Sequence, residues 1–366
     1  MTIFGDVSRA YEWPRAILHL DMDAFYVNVH LLDHPEDAGA PLVVGGQPQS
    51  RGVVSSASYE ARKLGIHSAM PTATAVRLCP SLKIVSPDWP RIRECSGQVM
   101  AVLAAYGPVE QISVDEAYID LSAAIDPLPL VDDMATAVFT QTHLPASVGL
   151  ATSKLVAKVA SDYEKPQGRT IILPDFEAVF LSPLPVRVIW GIGPRTTERL
   201  AAMDIQTCGQ LAVADIAALH HQFGSQAESL QRRARGIDSR EVQAERGLPK
   251  SISQEWTFNE DVNDPARLQE QIRQQAESVA RSLQKRNLAA HTIRVKFRWS
   301  DFTTFTRQKS VERGVDDAET IYRLALALWQ EHWQGRRMRL IGVGVSGLAE
   351  VSQRQLSFRF DDENAV

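Results

Sequence analysis

Two acidic clusters sit inside runs that otherwise read as apolar strand. The first is Ile17-Leu18-His19-Leu20-Asp21-Met22-Asp23-Ala24-Phe25-Tyr26. The second, roughly 90 residues later, is Ser113-Val114-Asp115-Glu116-Ala117-Tyr118. A carboxylate in a buried strand is costly unless a cation or hydrogen bonds compensate it. The fold is therefore expected to lay the two strands side by side and turn their carboxylates toward one cation. Mg²⁺, hard and oxygen-seeking, matches such donors. Asp21, Asp115 and Glu116 together suit one or two ions, the arrangement used for in-line phosphoryl or nucleotidyl transfer. Neighbouring strand residues point to opposite faces, so Asp115 and Glu116 share a site only at a strand end or a local twist. Asp23 shares the face of Asp21 if the strand runs that far.

The remainder of the chain supplies several domains. With 366 residues, 44% of them hydrophobic, two to four cored domains are expected rather than disorder. Cys79, Cys95 and Cys208 are odd in number and lack metal-ligand spacing, which fits a reduced, cytosolic compartment. No signal-peptide pattern opens the chain, and no apolar run approaches the ~20 residues of a membrane span. The net charge of −5 speaks against nucleic-acid binding, but its distribution speaks for it: from Arg281 to Arg313 nine basic residues face only Asp301 and Glu312.

Residues 1–14 read as a short irregular extension. Strands are expected from residue 15 to the first acidic cluster, at 42–44, 53–54, 109–121 and 146–150. Helices are expected at 25–32, 57–64, from Pro71, at 92–106 and at 131–143. This alternation implies a sheet covered by helices. Gly191-Ile192-Gly193-Pro194 opens a stretch of short helices that ends near residue 237. Its glycines turn successive N–H groups outward at a helix start, a phosphate-binding arrangement, and with the flanking helices it resembles a helix-hairpin-helix element. Residues 240–250 read as a linker. Beyond it the order is strand, helix, strand, strand, helix, strand, which suits a small ferredoxin-like domain. Within it Ile293, Val295, Phe297 and Trp299 alternate with Arg294, Lys296 and Arg298. One face of that strand is thus apolar and the other cationic, and the cationic face suits a phosphate backbone.

Four motifs occur in order: Asp21-Met22-Asp23-Ala24-Phe25-Tyr26, Tyr59-Glu60-Ala61-Arg62-Lys63-Leu64-Gly65, Ser113-Val114-Asp115-Glu116-Ala117-Tyr118 and Lys165-Pro166-Gln167-Gly168. Together they resemble the Y-family translesion DNA polymerases, most of all the bacterial DNA polymerase IV branch, and the resemblance covers nearly all of residues 15–360. It implies an α+β multidomain, right-hand-like polymerase. The implied parts are an N-terminal extension (1–14), palm (15–24 and 88–172), fingers (25–87), helix-hairpin-helix thumb (173–239), linker (240–250), β-α-β-β-α-β little finger (251–348) and tail (349–366). By the family pattern Asp21, Asp115 and Glu116 are catalytic and bind two Mg²⁺, assisted by the Met22 carbonyl. Tyr26 matches the steric gate that collides with a ribose 2′-OH. Ser56, Tyr59, Arg62 and Lys165 match residues that hold the triphosphate, while Asp23 plays a supporting part. The implied activity is low-fidelity, template-directed addition of dNTPs to a primer 3′-OH without proofreading, by a cytoplasmic monomer acting on primer-template DNA. Ser56 and Ser58 depart from the family, standing where Thr and Asn are common. Ala69 stands where Gly is common in the roof over the templating base, and its methyl narrows the room there. The tail Gln355-Leu356-Ser357-Phe358-Arg359-Phe360 resembles a bacterial sliding-clamp-binding peptide, with Gln355, Leu356, Phe358 and Phe360 as anchors.

Two other readings remain open at this level. A nucleotidyl cyclase also pairs acidic strands around two metals, but it leaves the Gly-Ile-Gly turn and the cationic strand unexplained. A non-catalytic DNA-binding protein with a relic palm explains those two features but not the intact acidic triad with Lys165.

Overall fold

The structure is a computed structural model that describes residues 1–8, 12–245 and 247–351. The chain divides into two compact units: residues 1–48 with 52–246, and the stretch from 247 onward with 49–51. The strands described in the first unit are β1 (Thr2–Phe4), β2 (Ile17–Met22), β3 (Leu42–Gly45), β4 (Val54–Ala57), β5 (Lys83–Val85), β6 (Val109–Gln111), β7 (Glu116–Asp120), β8 (Ala146–Ala151) and β9 (Arg169–Ile172). Six of them form one sheet in the order β1-β9-β8-β2-β7-β6, and β4-β3-β5 form a second.

The central strand β2 is buried at every position, because both of its faces are covered. Leu18, Leu20 and Met22 pack with Ile92, Cys95 and Val99 of the helix Trp89–Leu103 and with Val131, Met134 and Val138 of the helix Leu128–Thr142. Ile17 packs into a different core with Leu155, Val156 and Ala157 of the helix Lys154–Tyr163. Strand alternation then puts His19 and Asp21 on the Lys154–Tyr163 side. Gly149 of β8 lets that helix lie close. A Cβ there would fall 2.2 Å from the Ala157 carbonyl oxygen and 2.4 Å from the Ser161 nitrogen.

Two expectations for this unit are corrected. Residues 1–14 are not irregular throughout, since β1 pairs in parallel with β9 and Phe4 packs edge-on against Phe180, with ring centroids 4.9 Å apart. A three-residue strand has no period to read and exists only through its partner. Residues 109–121 are not one strand either. At Ser113-Val114-Asp115 the chain turns, the Ser113 hydroxyl oxygen accepting from the amides of Asp115 and Glu116, and β6 and β7 form an antiparallel pair. Further on, the helices Pro194–Ala201, Cys208–Val213, Ile216–Phe223 and Ala227–Ala234 bury Leu200, Leu211, Leu219 and Leu230 in a shared core.

The second unit contains β10 (Ser251–Val262), the helix Pro265–Gln284, β11 (Leu288–Trp299), β12 (Thr304–Val315), the helix Ala318–His332 and β13 (Met338–Glu350). The chain order is the expected one, but the sheet order, β10-β13-β11-β12, departs from a ferredoxin-like sheet. There the third strand lies between the first two, whereas here the fourth does. Burial explains the choice. In β11 Ile293, Val295 and Phe297 are fully buried, whereas β12 has no buried residue and takes the edge.

Candidate active site

Asp21 and Glu116 are directly opposite in the register of β2 and β7, so they share the face covered by the helix Lys154–Tyr163. That helix and the loop after it deliver two ammonium groups. Lys158 Nζ lies 2.8 Å from Glu116 Oε1, and Lys165 Nζ lies 2.7 Å from Asp21 Oδ1 and 3.0 Å from Asp162 Oδ1. Because β7 begins at Glu116, Asp115 belongs to the turn and is released from strand alternation. The Asp115 carbonyl accepts from the Met22 amide at 2.9 Å, and its carboxylate accepts from the Ser113 hydroxyl. Asp115 therefore lines the same pocket as Asp21, Met22 and Lys165.

Burial sets the electrostatics. It pushes the Asp21 carboxyl up to about 7, the nearby Glu116 adding to the rise while Lys165 opposes it. Burial also pulls on Lys165, but Asp21 and Asp162 outweigh it and hold the ammonium above its ordinary value. His19 is fully buried, and burial, with Lys158 and Lys165 adding to it, holds the imidazole well below its usual range. The Ser161 hydroxyl lies 2.7 Å from His19 Nδ1 and 2.8 Å from the Lys158 carbonyl oxygen. His19 Nε2 is left without a hydrogen-bond partner, 3.9 Å from Glu116 Oε2.

The donors Asp21, Asp115 and Glu116, with the Met22 carbonyl, are all hard oxygen atoms and fit a divalent cation in kind. Among the described residues, no three carboxylate, imidazole or thiol groups converge into a ready-made metal site. The charges of Asp21 and Glu116 are instead balanced by Lys165 and Lys158.

Asp23 lies just past the end of β2, 1% exposed, with its oxygens occupied by donors. It accepts from the Tyr59 hydroxyl at 3.0 Å, the Ser147 hydroxyl at 2.9 and 3.1 Å, and the Gln167 amide at 2.7 Å. It ties β8, the Lys165 loop and the helix Tyr59–Lys63 together. The Tyr59 hydroxyl is thus engaged, and burial with Asp23 beside it raises its pKa. Arg62 stacks over the Tyr59 ring at 4.8 Å and donates through Nε to the Ala57 carbonyl. Ser58 caps that helix, accepting from the Ala61 amide. Arg62, Ser55, Ser56 and Ser68 line the carboxylate pocket, a cavity of about 120 Å³, with Tyr26 as one wall. Ala69 adopts φ +68°, the left-handed region that favours glycine.

Gly191, Gly193, Arg294, Lys296 and Arg298 are not among the residues that line this pocket. Gly191 has φ +91°, and Gly193 is the N-cap of the helix Pro194–Ala201. Arg294, Lys296 and Arg298 belong to the second unit. Lys296 is matched there by Glu255 of β10, both carboxylate oxygens lying 2.8 Å from its Nζ. Gln355, Leu356, Phe358 and Phe360 lie outside the described residues. Sequence reasoning did not place Lys158, His19, Ser161, Ser147 or the Gln167 amide around the carboxylates. One signal was readable: Lys154, Lys158 and Ser161 follow a four-then-three spacing, one face of a helix.

A family model described as the impB/mucB/samB family matches residues 20–162, and the model of its C-terminal domain matches residues 249–358. A DNA polymerase IV from Alkalilimnicola ehrlichii is 41% identical over 347 residues, 93% of this chain and 97% of the relative. The chain belongs to this family, the Y-family DNA polymerases. A DNA polymerase IV from Methanoculleus marisnigri is 42% identical over 351 residues, 94% of this chain and 97% of that one. A thumb-domain model described for DNA polymerase-iota matches residues 188–238. Among solved structures, a Y-family DNA polymerase chimera of Dbh and Dpo4 superposes with a TM-score of 0.83 at 25% identity, covering 92% of this chain and 99% of the chimera. The cyclase reading falls, because the family matches continue through the thumb region and the C-terminal domain.

Proposed function

We propose that this Y-family polymerase adds dNTPs to a primer 3′-OH within the pocket bounded by Asp21, Asp115, Lys165 and Tyr26. The activity is DNA-directed DNA synthesis of the low-fidelity, translesion kind. The observation that carries the assignment is the in-register pair Asp21–Glu116, with Lys165 Nζ 2.7 Å from Asp21 in that same pocket. Asp21, Asp115, Glu116 and the Met22 carbonyl are the groups that would hold two Mg²⁺. When bound, the ions supply activation of the primer hydroxyl and charge neutralisation on the triphosphate. Lys165 and Lys158 would pair with phosphate oxygens, and Arg62 and Ser56 would contact the same triphosphate. Tyr59, bound to Asp23, braces that wall. Tyr26 excludes the ribose 2′-OH by contact.

The parts follow the boundaries read from the sequence, with a palm at 15–24 and 88–172, fingers at 25–87, a thumb at 173–239 and a little finger at 251–348. Gly191 and Gly193 present amides to one stretch of backbone phosphate. Arg294, Lys296 and Arg298 present charge to another. The tail from Gln355 to Phe360 docks a sliding clamp, which supplies processivity by raising local concentration. The polymerase works as a monomer in the cytoplasm, and no described helix is long and apolar enough to cross a membrane. The test is primer extension with Mg²⁺ and dNTPs. Asp115→Ala and Glu116→Ala abolish extension and retain DNA binding, whereas wild-type extension by either variant removes the metal assignment.

A further inference from the structure

Tyr26 lines two cavities. One is the polar pocket of Asp21, Asp115 and Lys165. The other, larger at about 220 Å³, has Val29, Val44 and Ile92 in its walls and shares no other lining residue with the first. The ring is therefore a partition with open space on both sides. No polar contact anchors it, since its hydroxyl makes no hydrogen bond to another described residue. Its position is decided by packing alone.

The aromatic side chains that meet it are Phe25, its chain neighbour, and Trp89. The Trp89 ring contacts Tyr26 edge-to-face, with centroids 5.6 Å apart and planes at 76°. Trp89 is the first residue of the helix Trp89–Leu103, and its backbone is fixed on both sides. The Asp88 carboxylate caps the helix by accepting from the Arg91 amide at 3.0 Å, and Ile92, Cys95 and Val99 are buried in the core of the main sheet. Trp89 itself is 44% exposed, so core filling does not account for an indole at this position.

We infer that Trp89 is a positioning residue for sugar selection, its ring edge bracing Tyr26 against displacement. The inference rests on the reading of Tyr26 as the steric gate. Without the indole edge, the phenol ring gives way when a ribose 2′-OH presses on it. A deoxyribose does not press on the ring, so dNTP insertion keeps its rate.

Single-nucleotide insertion kinetics with Mg²⁺, using a matched dNTP and rNTP, test the brace. W89A raises rNTP kcat/KM relative to dNTP by about two- to tenfold, the size of a lost aromatic contact, chiefly through a lower KM for the ribonucleotide. W89F keeps an aromatic edge and the wild-type ratio. The double variant Y26A/W89A is no more permissive than Y26A, because Trp89 acts only through Tyr26. If Y26A relaxes the ratio and W89A does not, the brace is refuted and the gate stands. If Y26A leaves the ratio unchanged, the gate falls and the brace with it. An equal loss for both nucleotides in W89A marks a purely structural tryptophan and also overturns the inference. Should W89A fail to fold, W89L keeps apolar bulk without an aromatic edge and carries the same comparison.

Discussion

Replacing Asp21 and Asp23 one at a time by Asn changes stability in opposite directions, although the two residues are chemically identical and two positions apart. The Asp21 carboxyl is held at about 7 instead of 3.8 because burial penalises its charge. Keeping it ionised above neutral pH costs roughly 4 kcal/mol. Its folded pKa lies above the unfolded one, so the native state binds the extra proton. The destabilisation therefore grows as pH rises from 3.8 to about 7 and is complete above that. Asp21→Asn removes the charge and the slope. It leaves Lys165 with Asp162 as its partner, which offsets part of that relief, so the net gain above neutrality is smaller than the ionisation cost it removes. Asp23→Asn does the reverse. It puts an NH₂ donor where one carboxylate oxygen receives the Gln167 amide and the Ser147 hydroxyl, leaving donors facing a donor, and costs about 2–4 kcal/mol. Urea unfolding at an acidic and a mildly alkaline pH measures both. In primer extension alongside, the Asp21→Asn protein is inactive and the Asp23→Asn protein is slowed, with a raised dNTP KM. An Asp23→Asn protein as stable as wild type, or an Asp21→Asn protein less stable than wild type above neutrality, refutes the division between a metal-binding and a structural aspartate.

Three further outcomes are expected. Ala69→Gly relieves a left-handed alanine and raises stability by about 1 kcal/mol, seen as a higher Tm; a lower Tm counts against strain at this residue. Glu255→Gln frees Lys296 on the cationic sheet face, so DNA affinity rises and the slope of log affinity against log salt steepens by about 1, measured by fluorescence anisotropy; an unchanged slope argues that this face does not meet phosphate. Gly149→Ala drives a methyl into the backbone at Ala157 and Ser161 and destabilises by about 3 kcal/mol. Because the displaced helix carries Lys158, whatever fraction folds also extends primers more slowly, and wild-type stability in this variant contradicts the close approach.

The division between Asp21 and Asp23 also marks how far the sequence could be read. The acidic clusters, the alternation from Ile293 to Trp299 and the turn at Gly191 are local patterns. Each is written in a few consecutive residues by a period of two or by the conformational freedom of glycine, and each is legible without a partner. Four ordered motifs carried the family in the same way. Other features depend on residues far apart in the chain. Asp23 becomes structural because Ser147, 124 positions away, and Gln167, 144 positions away, donate to it. Thr2–Phe4 becomes a strand because β9 offers an edge, and β12 lies outside β11 because the helices bury the apolar side chains of β11 fully and those of β12 only in part. Tyr26 is recognisable from its motif, but the space behind it and the indole beside it exist only once the helix Trp89–Leu103 has packed. Sequence alone singled out which side chains are candidates for the chemistry, since residue type and local period are properties of the chain itself. Tertiary structure decided that Asp21 faces an ammonium group while Asp23 is filled by hydrogen bonds, because that depends on which distant groups the packed helices and strands bring within reach.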